Sequence, residues 1–176
     1  PEGHSFPMGK YEKLRSRVVA ECPGVRLGPA LPASDGELAL AHTPRYVEAV
    51  AHGNLSAAEQ REIGFPWSAQ MVERSRRSAG ATVAAARDAL VQGWSANLAG
   101  GTHHAFRARG EGFCVFNDAA VTARAMQVEA GLQRVAEPVD IAQVHLLARD
   151  YRRRGGGVGD IDLAARRGDD DRAQRD

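Results

Sequence analysis

Apolar residues fall on helical steps along much of the chain. Met8, Tyr11, Leu14, Val18 and Val19 predict a helix over residues 8–19. The longest such pattern starts at Ser68 and carries Met71, Val72, Ser75, Ala79, Thr82, Val83, Ala86 and Leu90 before stopping at Gly93. Its stripe is mostly small. With Gly80 at its middle, it predicts close approach to a neighbouring backbone, as when a helix lies on a sheet. Ser34 with Glu37 and Ser56 with Glu59 have the form of capping boxes, and Thr43 before Pro44 has the form of an N-cap with proline in the first turn. Short helices follow from each, two of them split near His42. Asn117 or Asp118 caps a further helix over residues 119–130, which Gly131 stops. Strands are expected at residues 94–99, a mostly apolar run between two glycines, at 25–27 as a short edge, and from 133 to 135. No internal repeat is visible.

With 176 residues and 43% hydrophobic content the chain can bury one core, which implies one domain. Lys plus Arg number 23 against 22 for Asp plus Glu, so no basic field argues for a nucleic-acid partner. Arg74, Arg76, Arg77 and Arg87 are interrupted by Glu73 and Asp88 and read as a solvated helix face. Cys22 and Cys114 suggest free thiols in a reducing, cytoplasmic setting. No apolar run is long enough to span a bilayer, so no membrane partner is expected. Nothing in the composition sets an oligomeric state.

Chemistry concentrates in residues 100–118, Gly-Gly-Thr-His-His-Ala-Phe-Arg-Ala-Arg-Gly-Glu-Gly-Phe-Cys-Val-Phe-Asn-Asp. Adjacent residues on a strand or helix point different ways, so one site can use both His103 and His104 only from a loop. Gly100 and Gly101 permit the turn. Imidazole titrates near neutrality, so such a pair can deprotonate a water and protonate a leaving amine. His42, beside Tyr46 and Val47, reads as a buried, hydrogen-bonded histidine at a helix junction rather than as a ligand. On their own, Phe113 reads as a core aromatic, His4 as an exposed loop residue, and Cys114 as a small buried hydrophobe.

The string from Gly100 to Asp118 closely resembles the histidine-pair loop of the histone deacetylases and related zinc-dependent deacylases. Further matches lie at His4-Ser5-Phe6-Pro7-Met8 with Lys10-Tyr11, at His42-Thr43-Pro44-Arg45-Tyr46-Val47, and at Gly64-Phe65-Pro66-Trp67-Ser68. Their order and spacing look like the bacterial proteins similar to class IV, single-domain histone deacetylases. The resemblance implies an α/β fold of three layers, αβα, with a mainly parallel sheet (arginase/deacetylase-like), here incomplete. It implies metal-assisted hydrolysis of an N-acetyl-lysine or similar N-acyl-amine. His103 and His104 would handle protons, Phe113 would grip the aliphatic stem of the substrate, and Gly112 would let the backbone reach the substrate amide. The loop with His4 and Phe6 would form one wall of the entrance.

Zinc is the cofactor the resemblance calls for, bound by an Asp-x-Asp-x-His string on the next strand and a later aspartate. Neither is recognisable, so no metal ligand is assigned. Residues 136–145 hold Asp140 and His145 five apart, a spacing that does not place both on one face of a strand. Asp160-Ile161-Asp162-Leu163-Ala164 imitates the string, with alanine where histidine should stand. The expected division is therefore a deacetylase-like part over residues 1–135 and a divergent tail over 136–176. Arginine, aspartate and glycine dominate that tail, which has too few apolar residues to order itself. The abrupt change suggests a shifted reading frame and an inactive chain. The alternatives are a non-catalytic acyl-lysine-binding module and a fragment without function.

Overall fold

Every described helix but the first begins where a polar side chain stands in for a missing backbone partner. The computed structural model describes residues 9–132. Six α-helices lie within them: α1 (Lys10–Glu21), α2 (Asp35–Ala39), α3 (Pro44–His52), α4 (Ala57–Ile63), α5 (Ala69–Gln92) and α6 (Asp118–Ala130). Both capping boxes form. Ser34 and Ser56 each accept the N–H of the glutamate three residues on at 3.2 Å, and Glu37 and Glu59 reach back to the serine N–H at 2.8 and 2.7 Å. Thr43, Ser68 and Asn117 cap α3, α5 and α6 in the same manner. Helices α3 to α6 all stop on a glycine in the left-handed conformation.

The core is gathered around α5 and α6. Val83 and Ala86 of α5 meet Val121, Ala125 and Met126 of α6 in a cluster that also takes in Leu38, Tyr46, Val47, Val50, Ile63, Val115 and Phe116. Burying a side chain such as Leu38 stabilises the fold by roughly 1.5–3 kcal/mol. Arg87 clasps the outside of this core, donating to Glu37 of α2 at 2.8 Å and to Glu129 of α6 at 2.6 Å. Helix α1 has no fully buried residue.

The small stripe of α5 does admit a close neighbour, but that neighbour is coil. A Cβ on Gly80 would land on the Leu31 carbonyl oxygen and 2.6 Å from the Ala33 nitrogen. The Ala33 N–H donates to the Arg76 carbonyl at 2.9 Å, and Arg76 returns a bond to the Ala33 carbonyl at 3.2 Å. An irregular segment with its own polar groups satisfied by the helix thus occupies the place expected for a sheet.

No strand occurs among the described residues, so two expected strands are corrected. Residues 94–99 are coil, and Trp94 is 62% exposed. Their polar groups are spent on α5: Asn97 Nδ2 donates to the Ser78 carbonyl at 3.0 Å and to Thr82 Oγ1 at 2.9 Å, while the Ser78 hydroxyl donates to the Ala99 carbonyl at 2.8 Å. Residues 25–27 likewise form no strand, and the Val25 N–H closes a turn on the Cys22 carbonyl at 2.9 Å. Cys22 is exposed and Cys114 buried, and both are free thiols. The expected strand at 133–135, the wall residues His4 and Phe6, and the whole of residues 136–176 lie outside the described residues. No helix among the described residues is long and apolar enough to cross a membrane.

Candidate functional site

Residues 101–117 join the coil beside α5 to the start of α6, and four parts of the molecule hold them. At the front, the Asp118 carboxylate accepts the Gly101 N–H at 2.9 Å and the Thr82 hydroxyl at 2.8 Å. Asp118 is 2% exposed, and burial pushes its carboxyl up, opposed by those two bonds and by the Ala119 N–H. Gly100 sits against this group so tightly that a Cβ there would collide with Asp118 and Asn97. Gly101 takes the positive φ that turns the chain into the loop.

Behind the histidines, Asn117 does two jobs with one side chain. Its Oδ1 caps α6 through the Ala120 N–H at 2.9 Å, and its Nδ2 donates to the carbonyls of His103 at 3.0 Å and Ala105 at 3.2 Å. From the α2–α3 junction, His42 Nδ1 donates to the Phe106 carbonyl at 3.0 Å and His42 Nε2 accepts the Asn117 N–H at 3.0 Å. The Thr43 N–H donates to the Arg107 carbonyl at 2.8 Å, and the Tyr46 hydroxyl to the Val115 carbonyl at 2.8 Å. Burial lowers the pKa of His42 and raises that of Tyr46, favouring the neutral form of each. His42 is thus the buried, bonded junction histidine that its position suggested.

The fourth tie is the end of α4. Its free carbonyls at Glu62 and Ile63 accept the N–H groups of Gly112 at 3.0 Å and Phe113 at 2.8 Å. Phe113 holds φ 65°, a left-handed backbone that a bulky side chain rarely adopts. Its ring packs against Phe65 with centroids 5.2 Å apart, and the Arg74 guanidinium lies 4.9 Å from the far ring. A small antiparallel bridge between Glu111 and Cys114 closes the turn. The Cys114 thiol faces the carbonyls of Thr102 and Phe116, and burial pushes its pKa up, which keeps it protonated.

Inside this frame the two histidines stand out to solvent. The rings of His103 and His104 stack with centroids 4.9 Å apart and planes 28° apart, and both residues are exposed. A loop has therefore brought adjacent residues to one side. Gly112 lies beside them, since a Cβ there would sit 3.4 Å from His104 Cγ. Its N–H is already given to the Glu62 carbonyl at 3.0 Å. Phe113 and Thr102 also line a cleft with Tyr11, Arg74, Ser78 and Gly100. The structure thus sets Gly112 against His104, and turns the Phe113 ring onto Phe65 and into the lining of the cleft.

A family model described as the histone deacetylase domain matches residues 5–142. The chain belongs to the histone deacetylase family. It is 41% identical over 138 residues to an uncharacterized protein of Picosynechococcus sp., covering 77% of this chain and 46% of that protein. It is also 41% identical over 106 residues to the acetoin utilization protein AcuC of Bacillus subtilis, covering 54% of this chain and 27% of that one. The chain thus spans less than half the length of either relative. Among solved structures, a histone deacetylase homolog complexed with SAHA superposes with a TM-score of 0.59 at 30% identity, over 76% of this chain and 39% of that one. The HD domain of HDA15 superposes with a TM-score of 0.57 at 21% identity, over 75% of this chain and 38% of that one. The fold is accordingly the α/β deacetylase fold, and the described residues hold a helical part of it.

In this deacetylase loop the zinc of the family finds no holder among the described residues. No three His, Cys, Asp or Glu side chains there stand close enough together to take a metal ion. The one buried carboxylate of the loop, Asp118, is already bonded to Gly101, Thr82 and Ala119. Sequence reasoning saw Asn117 and Asp118 only as helix caps and did not find Thr82 or Asn97. An asparagine cap spends its oxygen and leaves its amide N–H2 to bond elsewhere, and that spare donor was the available signal.

Proposed function

We propose that residues 101–117 form the proton-handling and substrate-gripping part of a deacylase site that acts on the amide of N-acetyl-lysine or a similar N-acyl-amine. One observation carries the reading: two stacked, exposed histidines are held with Gly112 beside them by a loop whose backbone is bonded to α4, to the α2–α3 junction and to Asn117. His103 and His104 accept and return the protons of amide hydrolysis, and catalytic groups must be held within a narrow range of position to do so. Phe113, turned by its left-handed backbone and seated on Phe65, offers an aromatic wall to an aliphatic stem. When bound, zinc would polarise the acyl carbonyl and acidify a water. No residue described here is assigned to hold it.

The part over residues 1–135 carries this site, and residues 136–176 contribute no recognisable metal ligand to it. The 176 residues alone are therefore expected to retain no stoichiometric zinc and to release no acyl group from an acyl-lysine peptide. Mass spectrometry of the purified chain with a parallel hydrolysis assay tests both points. Near-stoichiometric zinc, with hydrolysis abolished by His103→Ala and His104→Ala, would overturn the inactivity and leave the deacylase reading in force. A second reading, an acyl-lysine recognition module, is favoured by Phe113, whose half-buried ring is seated on Phe65 without need of a metal. Affinity for an acyl-lysine peptide in the presence of a chelator separates it from an enzyme that needs zinc to hold its substrate.

A further inference from the structure

We propose that His42 is the positioning residue of the histidine pair, acting through Asn117. Two hydrogen bonds fix the tautomer of His42. The N–H of Asn117 points at His42 Nε2 at 3.0 Å, so that nitrogen must carry a lone pair. The Phe106 carbonyl lies 3.0 Å from Nδ1, so that nitrogen must carry the proton. Both bonds are satisfied by one neutral form only. His42 is 2% exposed and packs against the rings of Tyr46 at 5.7 Å and Phe116 at 5.5 Å, which themselves lie 6.1 Å apart, so its plane is held by packing as well.

The two bonds span the loop from Phe106 to Asn117, and Asn117 extends the connection to the pair itself. With its main-chain N–H fixed on His42 and its Oδ1 fixed on the α6 cap, the Asn117 side chain has one direction left for its Nδ2. That direction is the His103 and Ala105 carbonyls, on either side of His104. A buried imidazole some sixty residues upstream in sequence thereby sets the backbone from which both exposed rings project. The deacylase reading gives this loop its purpose, so the positioning role rests on that reading. The geometry it asserts can be measured without turnover.

The test is long-range proton–nitrogen correlation NMR on the uniformly labelled 176-residue chain near neutral pH, with His42→Gln used to assign the ring. Neutral His42 with its proton on Nδ1 is expected, and a charged ring or a proton on Nε2 would overturn the proposal. Two variants then separate positioning from mere filling. His42→Gln keeps an acceptor for the Asn117 N–H, whereas His42→Asn keeps only a donor for Phe106. Amide exchange at Asn117 is expected to stay slow in His42→Gln and to rise about tenfold in His42→Asn, as one hydrogen bond is lost. The titration midpoints of His103 and His104 should move in His42→Asn alone. Equal behaviour of the two variants at Asn117 and at the pair would contradict the connection. If neither variant folds, the tautomer of the unaltered chain decides. Absence of any acetyl-dependent shift at His103 and His104 with an acetyl-lysine peptide would count against the deacylase reading and leave the His42 tautomer standing.

Discussion

Asn117 is where the chemistry of one residue can be told from the chemistry of its position. Aspartate is as good an N-cap as asparagine, so Asn117→Asp should be harmless if capping were its whole role. Here the second oxygen would replace a donor that faces two carbonyls, so a loss of about 1–3 kcal/mol is expected by denaturant titration. His42 adds a pH dependence. Its folded pKa lies below the ordinary 6.5 because the ring is buried, so the folded state binds that proton less readily than the unfolded chain. Its contribution is full above about 6.5 and is lost as pH falls from there through the lower folded value. The urea midpoint should therefore drop on mild acidification, and His42→Gln should remove that slope. Asp118 works in the opposite sense: its raised pKa means that ionising the buried carboxyl costs stability as pH rises past the ordinary 3.8. That one site could use both His103 and His104 only from a loop could be read from the sequence, because neighbours on a helix or strand point different ways. The links from Phe106 and Asn117 to His42 could not, because bonds across sixty and more residues leave no periodic trace.

At the scale of elements, local chemistry was the readable part. Ser34, Ser56, Thr43, Ser68 and Asn117 start helices and Gly53, Gly64, Gly93 and Gly131 end them, each by a rule that needs only near neighbours. The strand expected at residues 94–99 does not form: Asn97 is bonded to Ser78 and Thr82 of α5 instead, and apolar content alone does not reveal that. Gly80 and Gly36 make a matched pair of predictions. Gly80→Ala should destabilise by about 1–3 kcal/mol despite better helix propensity, because the Leu31 to Ala33 backbone has no room to yield. Gly36→Ala in α2 meets only Ser34 Oγ at 3.9 Å and should stabilise by up to about 1 kcal/mol. A gain from both would mean that α5 and the coil at residues 31–33 are not in close contact. Thermal melts of the two variants decide it.

For the whole molecule, the described helices hold a loop that presents two stacked, exposed histidines with Gly112 beside them. We propose that this surface receives an acyl-lysine. The most direct measurement is NMR shift mapping of the labelled 176-residue chain with an acetyl-lysine peptide, set against the same peptide with unmodified lysine. The account expects acetyl-dependent shifts concentrated at His103, His104, Gly112 and Phe113, and none at the exposed His52. Shifts scattered over the molecule, or the same shifts with unmodified lysine, would contradict it.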